Sequence, residues 1–370
     1  MAGLTLDAGR CVRAVSKFST CDSCLSACPT PAIAIESEKL PAINLSLCVG
    51  CGACVGVCPT EALELDDFTI SNFFFEFASK SETLVSCRKN VPCLSLLHVE
   101  YIIALSSLKN GIIFDMGHCE GCEIASSCKP LIEAHVEEAN YVLEATQQEA
   151  RVVMKNVSFE NSDETEDNEN NRRSFFKAIN LENVADAKAQ FERSVEIATD
   201  DFVENFLSST QVATLREKEL SDKRKLLFAA LKRVQKPSQY HVVEGESLSF
   251  TSQKIFNKET CTACQMCYRI CPTGALSSDL RNSKIDFDPF MCIKCHLCHD
   301  VCEPHSLTLS SSYNLKELFE PSVQRLVAFN VRNCHECGGI FTSLKGEKIC
   351  RRCTIEEEEA RELWGIEDDE

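Results

Sequence analysis

Residues Cys48 to Pro59 read C-V-G-C-G-A-C-V-G-V-C-P, and this stretch restricts the fold more than any other. The spacing is C-x2-C-x2-C-x3-C-P. Three thiolates on such short loops converge and can grip three irons of one cubane cluster. The fourth opens a helical turn that points away, toward a neighbouring site. Soft thiolates suit iron and sulfide. Four cysteines at these intervals, followed by proline, hardly arise by chance, so the stretch reads as one arm of an iron–sulfur site.

A chain of 370 residues is expected to hold two or three domains. Its 25 cysteines beside a single tryptophan are far from average usage. Disulfide scaffolds of comparable density are short and secreted. Here the N-terminus, M-A-G-L-T-L-D-A-G-R-C, lacks the basic start and apolar run of a secretory signal. No apolar stretch approaches the roughly 18 residues that read as a membrane span. The thiols therefore read as metal ligands in a reducing cytoplasm, with peripheral membrane association left open. A net charge of −18 argues against nucleic acid as a partner. The same acidity serves solubility and can steer a basic partner.

A second, incomplete arm precedes the first: Cys21-Asp-Ser-Cys24-Leu-Ser-Ala-Cys28-Pro29, with Phe18 where a further cysteine would stand. Cys-Pro-Thr-Pro-Ala-Ile in this arm matches Cys-Pro-Thr-Glu-Ala-Leu in the other, so the two form an internal repeat. Each half is too small to bury a core alone, so pairing and metal must stabilise it. Over about residues 11–66 the chain is similar to the two-cluster bacterial ferredoxins, departing at Phe18. The resemblance implies fourth ligands that cross between arms. One [4Fe-4S] cluster would then rest on Cys11, Cys21, Cys24 and Cys58, and another on Cys48, Cys51, Cys54 and Cys28. Cys11 is assigned as the one remaining thiol nearby; its alternative is a free thiol beside a three-iron cluster.

A second module of the same kind carries Cys261, Cys264, Cys267 and Cys271-Pro272, then Cys292, Cys295, Cys298 and Cys302. The crossing rule groups Cys261, Cys264 and Cys267 with Cys302, and Cys292, Cys295 and Cys298 with Cys271. Glu303 stands where the proline of the motif is expected, which leaves the ligands intact. His296 and His299 read as surface or supporting residues, because eight cysteines already fill both sites.

Between the two lies a different pattern over residues 81–150. Thr83–Ser86 and Gly111–Asp115 read as strands, and Leu94–Leu108 and Pro130–Ala145 as helices, a β-α-β-α alternation. Cys87, Cys93, Cys119, Cys122 and Cys128 sit at the element ends, where such units place ligands. Val-Pro-Cys-Leu at 91–94, then a helix, then N-G-I-I-F-D-M-G-H-C-E-G-C resembles the iron–sulfur delta subunit of methyl-viologen-reducing hydrogenases. The family's last cysteine spacing is longer than the present Cys119-x2-Cys122. The resemblance implies a further cluster on Cys87, Cys93, Cys119 and either Cys122 or Cys128, with heterodisulfide reductase as the family's electron acceptor. Reduced thiols in a redox-inert fold, or a Cys119/Cys122 dithiol, are the alternatives.

Residues 156–171 are acidic and nearly devoid of apolar side chains, which predicts a disordered linker. Asn171-Arg-Arg-Ser-Phe-Phe-Lys177 looks like a twin-arginine motif, but it is internal and lacks a following apolar segment. Phe175 and Phe176 read instead as docking residues. Within 172–236, Phe191, Val195, Phe202, Phe206 and Leu207 recur at helical intervals, which predicts a helical clasp of about two helices. Cys334-x2-Cys337-x12-Cys350-x2-Cys353, within 330–356, has the spacing of a zinc ribbon, a closed structural site, with a rubredoxin-like iron as the alternative. Residues 357–370 form an acidic tail read as a short helix ending in disordered acid; Leu363 and Trp364 in it read as part of a frayed terminus, with anchoring to a partner as the alternative.

The expected architecture is a multidomain α+β chain. It has ferredoxin-like 2[4Fe-4S] modules at 1–70 and 250–312, the small α/β module between them, the helical segment and the ribbon. Four [4Fe-4S] clusters, a fifth in the middle module and one zinc are the expected cofactors. The implied role is a polyferredoxin relaying electrons to or from the catalytic subunit of a formate dehydrogenase, hydrogenase or heterodisulfide-reductase-type complex. The competing role is an accessory protein for assembly of a molybdoenzyme or iron–sulfur enzyme. No nucleotide fingerprint or flavin motif is apparent, so no catalytic residue is assigned.

Overall fold

The computed structural model describes residues 3–37, 39–158 and 218–364. The acidic run beyond Ser158, the Arg172-Arg173 motif, Phe175, Phe176, the helical positions up to 217 and the end of the tail lie outside them.

The N-terminal repeat folds as two nested antiparallel strand pairs. Leu4–Leu6 pairs with Leu63–Leu65, and Ile33–Ala34 with Ala42–Ile43. The C-terminal repeat has the same plan: Lys254–Phe256 pairs with Leu307–Leu309, and Leu276–Ser277 with Lys284–Phe287. A third strand, Gln324–Ala328, joins the inner pair there. These strands are short, so the cysteine loops between them take up most of each module.

The middle unit is a three-stranded parallel sheet of Leu84–Val85, Ile112–Asp115 and Val152–Lys155, in chain order. Its third strand was not expected from the sequence. The helix expected over Leu94–Leu108 is divided into a 3₁₀ turn, Leu94–Leu96, and an α-helix, Val99–Lys109. His98 is extended and breaks the run, and Asn110 ends it in the left-handed region at φ 54°. The helix expected from Pro130 begins earlier and spans Ala125–Ala145, with Pro130 inside. Near a helix start such a proline removes little, because the first N–H groups have no intrahelical partner.

Two helices join this unit to its neighbours. Ile70–Ser79, between the two sequence-defined units, buries Ile70, Phe73, Phe74, Phe75 and Phe77. Asp222–Leu231 lies against Val99–Lys109 with Leu226 to Leu231 all buried. Its Lys223 ammonium donates to the Gly56 and Cys58 carbonyls at 3.2 and 2.7 Å, and its first backbone N–H groups donate to Glu61. Arg224 donates to Glu100 at 2.6 Å, to the Phe250 carbonyl at 2.7 Å and to the Phe290 carbonyl. One turn of helix thus ties the two ferredoxin modules and the middle unit together.

The first module meets the middle unit at backbone distance. A Cβ on Gly56 would stand 2.2 Å from the Leu96 carbonyl oxygen, which cannot yield as a side chain would. Gly56→Ala should therefore destabilise the protein by about 1–3 kcal/mol through forced separation of this interface. A lowered thermal midpoint of the anaerobically purified protein is the check; an unchanged midpoint would mean that the contact is slack.

Candidate metal and cluster centres

The structure gathers the ferredoxin cysteines into sets. The Cys24 sulfur faces those of Cys58, Cys21 and Cys11. Burial, and then these neighbours, push its thiol up to about 12. Phe18 is 59% exposed, whereas Cys11 is buried at the start of the helix Val12–Val15. Cys28, Cys48, Cys51 and Cys54 line one small apolar cavity with Leu4, Ile33 and Leu65. Cys54 is likewise pushed to about 12, by burial first and then by Cys28, Cys24 and Cys48. In the second module Cys261 faces Cys264 and Cys302, while Cys295 faces Cys271, Cys292 and Cys298. Burial raises both. Buried sulfurs crowded this way cannot become thiolates unless a cation joins them, which is the demand a metal cluster meets.

Local geometry explains the crossing of the arms. In the repeated Cys-Pro-Thr, the Thr30 hydroxyl donates to the Leu47 carbonyl at 2.9 Å, and the Thr273 hydroxyl to the Met291 carbonyl at 2.7 Å. Leu47 and Met291 each immediately precede the first cysteine of the opposite arm. The threonine therefore pins the end of one arm to the start of the other. Backbone N–H groups point at the sulfur of the last cysteine in three arms: Ala62 to Cys58 at 3.2 Å, Leu276 to Cys271 at 3.5 Å and Ser306 to Cys302 at 3.3 Å. Such bonds stabilise negative charge on sulfur and raise a cluster's potential.

Cys292 differs from the others. Burial pushes its thiol up, but Lys254 and the Ser252 hydroxyl, 3.3 Å from the sulfur, outweigh it and hold the thiol below the usual value. Lys254 is itself buried and donates to His299 Nε2 at 2.7 Å, so His299 Nδ1 donates to the Leu307 carbonyl at 3.0 Å. Both ring nitrogens of His299 are engaged, leaving none for a metal. A cation beside the Cys292 sulfur favours the reduced, more negative state of whatever the sulfur ligates. Lys254→Met should lower the reduction potential of that site alone in an anaerobic redox titration, and a potential that does not move would remove Lys254 from this role.

In the middle unit the cysteines collect at the carboxyl ends of the strands. Cys87 is buried in the turn after the first strand. Cys119 follows the second strand, and its sulfur, raised by burial and then by its neighbours, faces Cys93 and Cys122. Cys128, at the start of the helix Ala125–Ala145, hydrogen-bonds through sulfur to Cys51 and to Cys93. Asp115 closes the second strand and organises both loops. It accepts from Ser86 and Arg88, each at 2.7 Å, and from the Gly117 and Val157 N–H groups. Although buried, its carboxyl stays below the usual range because of these donors.

At the C-terminus, Asn330–Asn333 and Ile340–Ser343 form a hairpin carrying Cys334 and Cys337, and the helix Arg351–Trp364 follows Cys350. The four ligand atoms of Cys334, Cys337, Cys350 and Cys353 all lie within 4.8 Å of one another. Cys334 to Cys353 and Cys337 to Cys350 are both 3.9 Å between sulfurs. Tetrahedral metal–thiolate bonds of about 2.3 Å place sulfurs about 3.8 Å apart, so one ion fits the group. The Cys350 N–H, 3.2 Å from the Cys334 sulfur, leads the donors that hold that thiol down at about 6.

Two family models match the chain: a 4Fe-4S binding domain over residues 41–64 and a 4Fe-4S dicluster domain over 253–303. With the thiol sets, these ferredoxin-type domains support an iron–sulfur protein with an electron-transfer role. No curated protein and no solved structure matches the chain. Among the described residues no helix is long and apolar enough to cross a membrane.

Several residues around the sulfurs had not been singled out from the sequence. The threonines of Cys-Pro-Thr were visible as a repeat whose purpose was not. Lys254, Ser252 and the Cys51–Cys128 contact left no local signal.

Proposed function

We propose that this chain is a polyferredoxin that carries electrons to or from a separate redox enzyme. The observation that carries the reading is two modules of the same strand plan in one chain, one matching a 4Fe-4S binding domain and the other a 4Fe-4S dicluster domain, each with its thiols gathered across both arms. Cys11, Cys21, Cys24 and Cys58 would hold one cubane, and Cys28, Cys48, Cys51 and Cys54 the next. Cys261, Cys264, Cys267 and Cys302, and Cys271, Cys292, Cys295 and Cys298, would hold two more. The middle unit would hold a fifth centre through Cys87, Cys93, Cys119 and either Cys122 or Cys128, and the ribbon a zinc ion. When bound, the clusters supply reversible one-electron chemistry. The chain supplies N–H donors, burial and cations around the sulfurs, and keeps the centres close. A catalytic subunit of formate dehydrogenase, hydrogenase or heterodisulfide-reductase type, in the cytoplasm, is the partner class this reading implies.

Metal analysis of anaerobically purified protein tests the content: about sixteen irons from the two modules, a few more from the middle unit, and one zinc. Iron near eight would leave one module empty. The role is tested with Cys51→Ser, which should block electron flow to the partner enzyme. The partner's cofactor content and its activity with an artificial donor should survive. A partner purified without its cofactor and inactive with every donor would establish the assembly role instead.

A further inference from the structure

The thiol sets lie in an order along the molecule that differs from their order in the chain. Cys128 of the middle unit hydrogen-bonds through sulfur to Cys51, a member of the set with Cys28, Cys48 and Cys54. Cys54 of that set faces Cys24 of the set with Cys11, Cys21 and Cys58. Cys21 and Cys295, one from each ferredoxin module, line a single cavity of about 180 Å³. Cys298, of the same set as Cys295, faces Cys267 of the last set. The ribbon closes the row, with Arg351 donating to Thr262 at 3.0 Å and Lys345 to the Glu259 carbonyl at 2.7 Å.

The face between the two ferredoxin modules is built rather than incidental. The Thr20 N–H and hydroxyl both donate to Asp300, each at 3.0 Å, beside the Cys21 and Cys298 loops. The shared cavity is lined by Asp22 and Ser23 from one module, by Lys294 from the other, and by His98 and Glu100 of the middle unit. His98 is buried, with its Nδ1 3.7 Å from a carboxylate oxygen of Glu100. A polar cavity of this size has room for water that could bridge groups that do not touch.

We infer that the two ferredoxin modules exchange electrons directly across the Cys21–Cys295 cavity, and that the middle unit is one end of an unbranched row rather than the link between them. The inference rests on the electron-carrying role proposed above. Its physical basis is that electron tunnelling weakens steeply with distance, so transfer follows the sets that abut. The middle unit abuts the first module at Cys51, whereas the second module meets the first at Cys21. An electron entering at the middle unit would traverse the whole row, and one entering at the ribbon end would traverse it in reverse.

The test uses the full chain, loaded anaerobically. In Cys119→Ser/Cys122→Ser, electron redistribution between the ferredoxin modules after flash photoreduction, followed by freeze-quenched paramagnetic resonance, should keep its wild-type rate within about twofold. A loss of tenfold or more would make the middle unit the bridge and overturn the inference. Iron content of the variant separates the two levels of the argument. Modules without iron would sink the electron-carrying reading itself, whereas loaded modules with blocked exchange would sink only the order. Should the variant not fold, relaxation measurements on the partly reduced wild-type protein decide the same point. Reduction of the second module should broaden signals of the first module, and those of the middle unit much less. Broadening confined to the middle unit would overturn the inference.

Discussion

Arg224→Met is expected to destabilise the protein by roughly 3–5 kcal/mol, the cost of leaving a buried charge without its partner. Arg224 is fully buried and reaches Glu100 in the middle unit together with the Phe250 and Phe290 carbonyls of the second module. Methionine matches much of its length but donates nothing, so one carboxylate and two carbonyls lose their donor. Burial opposes ionisation of Glu100, yet Arg224, with His98 and Lys223, holds its carboxyl down at about 2. A folded-state value below the unfolded one contributes stability that is present above the ordinary carboxylate range. That contribution fades as the pH falls toward 2. The variant should therefore lose most at neutral pH and approach the parent under acid. Thermal denaturation across pH, under anaerobic conditions, measures both. Arg224→Met/Glu100→Gln should recover part of the loss, since the stranded charge is gone. A single variant as stable as the parent would mean that this helix does not clasp the modules.

Chelating the metal proposed for the four-cysteine group of the ribbon should unfold the ribbon alone, because little else holds it. Every residue of Asn330–Asn333 is exposed, and the helix Arg351–Trp364 buries no residue. A structural zinc site contributes about 10–16 kcal/mol of apparent binding free energy in small peptides, which here would replace a core. The adjoining strand Gln324–Ala328 is paired with Lys284–Phe287 and should stay protected. Hydrogen exchange before and after chelation reads this directly: amides of 330–356 should lose protection while those of 324–328 keep it. Ribbon amides that remain protected without metal would show a hairpin that is stable by itself. One extra iron and no zinc in the purified protein would assign the site to iron.

The features legible in the sequence are the ones that local spacing creates. Thiols separated by two residues meet because the loop between them is short, wherever the rest of the chain goes. The same holds for the two knuckles of the ribbon, whose four sulfurs come within reach of one ion. Left-handed backbone recurs at matching places between the cysteines. Gly50 and Gly52 occupy it in the first module, and Ala263, Gln265, Lys294 and His296 occupy it in the second. The loop geometry thus persists where its favoured residue does not. The helix Ile70–Ser79 was also written locally, with Ile70, Phe73, Phe74 and Phe77 at helical spacing, but it fell between the expected modules.

What the sequence by itself determined, then, was the chemistry of each site: which thiols can converge and what they prefer to bind. Only the tertiary structure decided how the sites are arranged. Asp222–Leu231 is buried on nearly every side, so it carries no polar face by which a period could reveal what it packs against. The partners of Arg224 lie 124, 66 and 26 residues away in the chain. The contact between Cys51 and Cys128, and the cavity shared by Cys21 and Cys295, arise from surfaces folded separately and then pressed together. Such adjacency depends on packing between distant segments, for which cysteine spacing holds no record.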